Sequence, residues 1–455
     1  MLTKDICVRY SFYLSFLLLL GGCAIHQTDK SIFQNKKTVV QKEYVQDIKE
    51  LPQSIEPYLS NLQEAHFIGS LQEYEKAYFK PWNIEKIDIT LDEARWADKI
   101  FTPKNSYGVN LLPLTQEYFL DIKKKSNFED FATLNKTAIT VVHTDIRAFP
   151  SQKPLFLDPN NAGEGFPFDY LQNSSIAPNK PLLVSHYSKD KEWVFVESSF
   201  TYGWIKARDM AFIPKKYTKT YQDAQKVFVQ KENIPLYDKK NNFLFRTQIG
   251  MLLPIVDIQK KEHKTPILLI SNYKNQESFY IINYIENYIV KKGILKFNQK
   301  NIKDIFHEVS QVKYGWGGMY ANRDCSSILR DFFAPFGIWL PRNSSKQSQI
   351  GKVISLKNLT DEAKLQKIKN EAIPFETLLY KKGHILLYVG LKDRKVVVFH
   401  NTWGVKTQKD GREGRFIIGK PIFSTLEVGS NLKDYDKNAS ILHKLESMNI
   451  ITRRK

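Results

Sequence analysis

One cysteine and two histidines are the residues of this chain best suited to chemistry. Cys325 stands at the predicted start of a helix, and His384 and His400 follow it in two short apolar runs. The sequence has three cysteines, of which Cys7 and Cys23 fall in a predicted N-terminal export segment. Cys325 is therefore expected to lack an intramolecular disulfide partner. An unpaired thiol in an exported protein is a candidate nucleophile.

A thiol attacks an acyl carbon as the thiolate, so the surroundings of Cys325 should favour loss of its proton. The free N–H groups at a helix N-terminus and a neighbouring imidazolium both lower the pKa of a cysteine. His384 would supply the imidazolium and then protonate the leaving amine. His400 is the candidate for orienting His384, because a predicted hairpin turning near 393 places the two on adjacent strands. The Cys325 N–H and the Tyr314 hydroxyl are the expected oxyanion donors.

The elements that must position these residues form a mixed helix-and-strand domain at 285–455. Apolar spacing predicts that the cysteine precedes a helix ended by Pro335, and that the histidines lie on an apolar hairpin. The predicted elements are helices at 303–312, 326–333 and 361–372, and strands at 384–389 and 396–399.

At 455 residues the chain is long enough for several domains, and its composition changes along its length. A polar, lysine-rich stretch comes before a region of partial helical periodicity, and many short strands separated by turn residues then indicate two small barrels. The predicted segments are a signal peptide at 1–23, a tether at 24–45, a helical region at 46–135, and barrels at 136–214 and 215–284.

The first residues predict export. Lys4 and Arg9 flank an apolar run at 10–20 that is too short for a comfortable membrane span, and two glycines precede Cys23. This pattern is similar to a bacterial lipoprotein signal, in which Cys23 would be lipidated and become the new N-terminus. An ordinary signal peptide with an incidental cysteine is the alternative. Ala24 favours the outer over the inner membrane, facing the periplasm.

The formal net charge of +19 is spread along the chain without a dense basic block. It suits an anionic membrane surface or an acidic polymer such as cell wall. The sequence shows no nucleic-acid-binding motif, so we expect no nucleic-acid partner. Its cysteines and histidines lack zinc spacing, so we expect no metal, and we expect no cofactor. We expect a monomer.

Five successive blocks resemble the NlpC/P60 family of cysteine peptidases. They lie at 314–318, 324–327, 340–347, 383–390 and 399–401. The resemblance implies a papain-like α+β core with Cys325 as nucleophile, His384 as general base and acid, and His400 as the orienting third residue. It also implies cleavage of peptidoglycan stem peptides, usually between γ-D-glutamate and the diamino acid.

The resemblance continues upstream and implies an α+β multidomain chain, in which the papain-like domain follows a helical region and two SH3-like barrels. Residues 81–96, 166–174 and 193–204 resemble the subgroup with a stabilising region and two bacterial SH3 domains. In that subgroup the first SH3 domain leans over the active site and helps to read a free N-terminal L-alanine.

By that analogy, Glu197 and Tyr170 would contact the substrate amine, and Asp324 and Ser326 would contribute from the catalytic side. A charged acid is a strong amine receptor. The alternative is that Glu197 is a solvated strand residue and Tyr170 belongs to the barrel core. The expected protein is a lipid-anchored endopeptidase acting on stem peptides with a free L-alanine.

Two other functions remain open from the sequence. One is a wall-binding lipoprotein with an idle catalytic domain, held by its SH3 domains and anchor. The other is acyl transfer by the same thiol. Sequence does not separate transfer from hydrolysis, because only the acceptor differs, an amine or water.

Overall fold

The structure is a computed structural model that describes residues 43–258, 261–272 and 277–452. The predicted signal peptide, with Cys23, and nearly all of the predicted tether lie outside the described residues. Among the residues described, no helix combines the length and apolar character that crossing a membrane would require.

Short helices dominate the region before the barrels, as predicted. Ser70, Thr90 and Thr115 each begin a helix by accepting a backbone N–H bond with the side-chain oxygen, which satisfies a donor that the helix leaves free. Pro81 separates two helices, because proline is tolerated only in the first turn. The helices are α1 (Gln46–Glu50), α2 (Leu71–Tyr78), α3 (Lys80–Asn83), α4 (Leu91–Ala94), α5 (Trp96–Ile100) and α6 (Gln116–Ser126), with 3₁₀ turns at Glu56–Asn61 and Phe128–Asp130.

The first barrel is an antiparallel sheet in the order β3-β2-β6-β5-β4-β1-β7. Its inward side chains, such as Val184, Val194 and Ile205, are fully buried. Its strands are β1 (Lys136–Thr140), β2 (Thr144–Arg147), β3 (Gln172–Ile176), β4 (Pro181–Tyr187), β5 (Trp193–Ser198), β6 (Tyr202–Lys206) and β7 (Met210–Phe212). A long loop between β2 and β3 leaves the barrel toward the catalytic domain.

The second barrel begins after a helix that the sequence analysis did not predict. It also continues past residue 284, where the prediction ended it, because β14 pairs with β8 and completes a three-stranded sheet in the order β11-β8-β14. The elements are α7 (Lys215–Asp223), β8 (Lys226–Val229), β9 (Pro235–Tyr237), β10 (Phe243–Arg246), β11 (Leu252–Pro254), β12 (Lys264–Asn272), β13 (Ser278–Glu286) and β14 (Val290–Lys292).

The C-terminal domain packs helices on a six-stranded antiparallel sheet, in the order β15-β20-β16-β17-β18-β19. The predicted hairpin of histidine strands is confirmed as β17 and β18. The elements are α8 (Gln299–Ser310), α9 (Cys325–Phe333), α10 (Ser344–Gln347), β15 (Lys352–Ser355), α11 (Asp361–Glu371), β16 (Thr377–Lys381), β17 (His384–Lys392), β18 (Lys395–Lys409), β19 (Arg412–Ser424), α12 (Ile441–Lys444) and β20 (Leu445–Ile450).

The apolar face of α9 fixes the position of this helix on the sheet. Ile328, Leu329 and Phe332 are buried in one core with Leu387 of β17 and Phe399 of β18. Burial of each such side chain contributes about 1.5–3 kcal/mol. The N-terminus of α9 therefore meets the histidine strands, and the expected α+β fold is confirmed.

Candidate active site

Cys325 is the first residue of α9. Asp324 caps the helix, accepting the Ser327 N–H at 2.8 Å, while the Ser327 hydroxyl accepts the Asp324 N–H at 2.9 Å. The helix therefore starts at the predicted place, and Cys325 occupies a turn whose N–H groups have no acceptor within the helix.

The resting charge state of the thiol differs from the expectation. Burial, and then the neighbouring Asp324 carboxylate, raise the pKa of the Cys325 thiol to about 12. The N–H groups of Ile385 and Ser326 hydrogen-bond the sulfur and oppose this rise without overcoming it. Only 9% of Cys325 is exposed, so the missing solvation outweighs the helix terminus. The thiol is neutral until a substrate or base takes its proton.

His384 is also neutral at rest, so it cannot be the resting imidazolium that the sequence analysis expected. Burial, and then the nearby His400 and Lys381, hold the pKa of His384 well below its usual value. Burial also lowers the pKa of His400 to about 3. The structure thus pairs a neutral thiol with a neutral imidazole, a state in which the imidazole can accept a proton.

The two histidines meet as predicted and continue into a third residue that was not predicted. His384 Nε2 lies 2.8 Å from His400 Nδ1, and His400 Nε2 lies 3.0 Å from the Ser424 hydroxyl. The Ser424 hydroxyl in turn donates to the Thr425 carbonyl at 2.8 Å. His400 and Ser424 are fully buried.

This chain of bonds defines where each proton sits. Ser424 uses its single proton on the Thr425 carbonyl, so its oxygen must accept from His400 Nε2–H. His400 Nδ1 is then an acceptor, and His384 must donate to it from Nε2. A neutral His384 therefore keeps Nδ1 unprotonated, which is the state that a general base requires.

Helix α1 holds the strand end that carries this relay. The Asp47 carboxylate accepts both the backbone N–H and the hydroxyl of Thr425 at 2.8 Å. Gln53 bonds both the N–H and the carbonyl of Phe423. The segment just after the predicted tether thus fixes the residues on either side of Ser424.

The thiol and His384 line one cavity of about 280 Å³. Cys325, His384 and Tyr314 line it. The Asn401 amide, beside His400, donates to the Arg323 carbonyl at 2.7 Å and so ties β18 to the segment just before α9. Burial raises the pKa of the Tyr314 hydroxyl, which therefore keeps its proton and can donate a hydrogen bond.

Asp324 and Ser326 are already engaged by a buried arginine. Arg342 Nη2 lies 2.6 Å from Asp324 Oδ2, and Arg342 Nη1 donates to Ser326 Oγ at 3.0 Å. Burial alone would raise the pKa of Asp324, but the Arg342 guanidinium holds it below its usual value. Arg342 Nε also donates to the Ser174 hydroxyl of the first barrel at 2.7 Å.

The first barrel forms one wall of the cavity through its β2–β3 loop. Gly163 and Phe168 line the cavity, and the Phe168 ring packs on Trp316 and Trp403 with centroids 5.1 and 5.7 Å away. Gly317 permits the close approach of the barrel: its φ is +57°, and a Cβ there would lie 2.4 Å from a barrel carbonyl.

Glu197 is not part of this cavity. Its carboxylate accepts bonds from Lys80 Nζ at 3.2 Å and from the Asp88 N–H at 2.8 Å, both in the helical region. It is 4% exposed, so it is not the solvated residue of the alternative, and its two partners leave it outside the Cys325 cavity. Tyr170 lies half-buried on Trp316, with ring centroids 5.5 Å apart, and Trp316 in turn packs on the cavity residue Phe168.

Several residues of the site carry no local sequence signal. Ser424 and Lys381 lie on strands adjacent to those of the histidines, and only the sheet register brings them near. Phe168 fell within the block resembling a bacterial SH3 domain, but a buried barrel residue would show the same pattern. In the part of the chain that the structure describes, no group of three or more potential ligands is arranged to hold a metal ion.

A buried thiol at a helix N-terminus, with two hydrogen-bonded histidines on an adjoining antiparallel sheet, defines a papain-like cysteine peptidase site. Comparison with family sequences gives four matches. They are the NLPC_P60 N-terminal stabilising domain at 12–131, an SH3 domain of SH3b1 type at 154–206, an SH3 domain of SH3b2 type at 220–258, and the NlpC/P60 family at 311–412. The chain therefore carries an NlpC/P60 domain, preceded by a matching stabilising domain and two SH3-type domains.

Comparison with solved structures supports the fold through a match with a high TM-score. An NlpC/P60 endopeptidase from Photobacterium damselae subsp. piscicida is 23% identical, with a TM-score of 0.76 over 88% of this chain and 97% of that one. An NlpC/P60 family protein from Bacillus cereus is 14% identical over 70% of this chain and 100% of that one, with a TM-score of 0.43. Comparison with curated proteins gave no match.

Proposed function

We propose that this protein hydrolyses the γ-D-glutamyl–diamino acid bond of peptidoglycan stem peptides that have a free N-terminal L-alanine. The NlpC/P60 domain supports a cell-wall endopeptidase in general. The observation that carries the narrower proposal is the cavity wall from the first barrel, where Gly163 and Phe168 close over the Cys325 cavity. A cleft narrowed in this way suits a short free peptide better than a crosslinked or sugar-bearing strand.

The geometry supports a two-step acyl transfer to water. His384 Nδ1 takes the Cys325 proton, and the sulfur attacks the scissile carbonyl carbon. The Cys325 N–H and the Tyr314 hydroxyl stabilise the oxyanion. The protonated His384 then donates its proton to the leaving amine as the carbon–nitrogen bond breaks. Water, deprotonated by His384, hydrolyses the resulting thioester and restores the thiol.

Of the predicted amine receptor, Glu197 is held by the helical region, outside the Cys325 cavity. Tyr170 lies on Trp316, and Asp324 and Ser326 lie beside the thiol but are bonded to Arg342. We assign amine recognition to Tyr170 together with Glu164, because both belong to the loop whose Gly163 and Phe168 line the cavity.

The test uses the tripeptide L-Ala-γ-D-Glu-diaminopimelate and the same stem still attached to its sugar. Mass spectrometry should show release of L-Ala-D-Glu from the free tripeptide by the wild type and none by Cys325→Ala. Equal cleavage of the sugar-bearing stem would keep the peptidase and remove the amine requirement. Absence of cleavage by both proteins would favour a wall-binding role, and a product joined to an added amine would favour acyl transfer.

We further propose anchoring through a lipidated Cys23 at the periplasmic face of the outer membrane. The motif at 20–23 supports this. Mass spectrometry of the mature N-terminus would test it: a diacylated cysteine is expected, and an unmodified N-terminus elsewhere would contradict it.

A further inference from the structure

The Cys325 cavity has a cationic wall that the proposed chemistry does not use. Lys381, Lys406 and Arg415 line it, and among its described lining residues only Asp436 carries a carboxylate. Lys381 ends β16, whereas Lys406 and Arg415 lie within β18 and β19. The pairing of strands in this sheet therefore fixes the positions of the three cations.

Two of these cations are neutralised within the wall. Lys406 and Arg415 face each other across β18 and β19, and the Glu413 carboxylate bridges them, at 2.7 Å from Lys406 Nζ and 2.6 Å from Arg415 Nη1. Asp436 lies 3.7 Å from Lys406 Nζ. Two cations and two carboxylates leave this cluster close to neutral.

Lys381 differs, because none of the described carboxylates forms an ion pair with it. It is the register partner of His384, so the two side chains share one face of the sheet. Burial, with repulsion from Arg415, lowers the pKa of its ammonium. An ammonium that is largely removed from water without a counter-ion is costly, and a bound anion would offset that cost.

We propose that Lys381 binds the free carboxylate of the amino acid whose amine is released. This assignment rests on the proposed function. His384 must contact the leaving nitrogen, and Lys381 is its neighbour across the strand pair. In an α-amino acid the carboxylate is attached to the carbon that bears this nitrogen, whereas the α-carboxylate of γ-linked D-glutamate lies at the far end of its side chain.

This subsite selects peptides that end at the third residue. In a longer stem the same carboxylate is consumed in an amide bond and carries no charge. A carboxypeptidase-type reaction that trims the stem to a tripeptide must then supply the preferred substrate.

The experiment compares three peptides: L-Ala-γ-D-Glu-diaminopimelate, the same peptide amidated at the L-centre carboxylate of its third residue, and the same peptide amidated at the D-glutamate α-carboxylate. Values of kcat/KM are measured for wild type, Lys381→Met and Lys381→Arg. Lys382→Met is the matched control, because Lys382 is the exposed next residue and does not line the cavity.

Amidation of the third residue should lower wild-type kcat/KM by about 10- to 100-fold, since a hydrogen bond to a charged group is lost. Lys381→Met should lose this preference, with both peptides cleaved slowly, whereas Lys381→Arg should retain most of it and Lys382→Met all of it. Thermal melting of each variant checks folding.

Three results would overturn the proposal. One is a Lys381→Met variant that keeps the full preference. A second is a preference that follows amidation of D-glutamate, which would place the other carboxylate at this lysine. A third is a wild type that cleaves all three peptides equally, which leaves the peptidase intact. A wild type that cleaves none would instead remove the proposed function, and this inference with it.

Discussion

The two SH3-type barrels contact the catalytic domain in different ways. The first sends its β2–β3 loop over the thiol and lends Gly163 and Phe168 to the cavity. None of the described cavity-lining residues comes from the second. That barrel instead places Glu232 against Arg323, which lies just before the cap of the nucleophile helix, with the two side chains 2.5 Å apart. One barrel shapes access to the thiol, and the other braces the helix that carries it.

Each barrel achieves its role through a buried arginine and carboxylate. In the first, Arg147 and Asp169 are 2.6 Å apart and nearly inaccessible to solvent. In the second interface, Arg323 is 1% exposed and also binds Asp331 of α9 at 2.8 Å. Lys231 and Glu308 add a further bond at 2.7 Å between this barrel and α8. The comparison predicts that replacing Arg147 and replacing Arg323 will have different consequences.

The largest effect should come from Arg323→Met. Glu232 and Asp331 would each lose a buried charged partner, so the free energy of unfolding should fall by about 3–5 kcal/mol. Urea denaturation followed by tryptophan fluorescence would measure it, with the exposed Arg208→Met as control. A loss below about 1 kcal/mol would mean that the second barrel does not brace α9.

Arg147→Met should lower the free energy of unfolding less than Arg323→Met does, but it should weaken substrate recognition more clearly. Arg147 also bonds the Ser151 and Lys153 carbonyls and so holds the loop that carries Phe168. Asp169 keeps two backbone N–H partners, so we expect a loss of only about 1–2 kcal/mol. KM should rise about tenfold with kcat little changed, because loosened substrate contacts act before the chemical step. A fall in kcat alone would contradict the assigned role of this wall.

The hydrogen-bonded chain of His384, His400 and Ser424 belongs to the C-terminal domain. A variant there is therefore a reference for the Arg147 and Arg323 variants. Ser424→Ala removes the acceptor for His400 Nε2–H, so His400 can place its proton on Nδ1 and no longer accept from His384. We expect kcat to fall about tenfold with KM unchanged, which is less than the roughly 10²- to 10⁴-fold that a general base contributes, because His384 itself remains in place. Ser424→Thr keeps the hydroxyl and should retain activity; equal loss in both variants would indicate a packing effect.

The pH profile of the same enzymes checks the neutral resting pair. The pKa of His384 lies well below 6.5. Activity should therefore be kept at pH 6.5 and should fall only when the pH approaches this lowered pKa and His384 takes up a proton. The raised pKa of Cys325 predicts a level profile from neutral pH through about pH 9. A thiolate–imidazolium pair would instead lose activity as rising pH deprotonates the imidazolium.

The smallest effect should come from Glu197→Gln. Because Glu197 bonds the helical region and lies outside the cavity, we expect kcat and KM to be unchanged. Stability should fall by about 1 kcal/mol through the weakened bond to Lys80, which is partly exposed. A rise in KM for peptides with a free amine, absent for N-acetylated ones, would return Glu197 to the substrate site.

Local patterns were sufficient for the parts of the site that depend on neighbours in sequence. The apolar spacing at 326–333 predicted the position of α9, and the turn near 393 predicted adjacent histidine strands. The resemblance to a known family named the domains and their order. These signals depend on short-range periodicity, which a single sequence displays directly.

The remaining features depend on contacts between distant segments. The thiol pKa was expected to fall, but burial by surrounding domains raises it. Glu197 finds its partners in the helical region more than 100 positions earlier. Ser424 and Lys381 join the site only through sheet register, and no spacing rule reveals which serine or lysine will do so.

The protonated, buried Cys325 also has a consequence for chemical durability. Oxidants attack cysteines in proportion to their thiolate character and their exposure, and both are low here. Sulfenic and sulfinic acids should therefore form slowly on the idle enzyme. Because a substrate that draws the proton to His384 also covers the sulfur, the reactive form of this cysteine exists only while it is shielded.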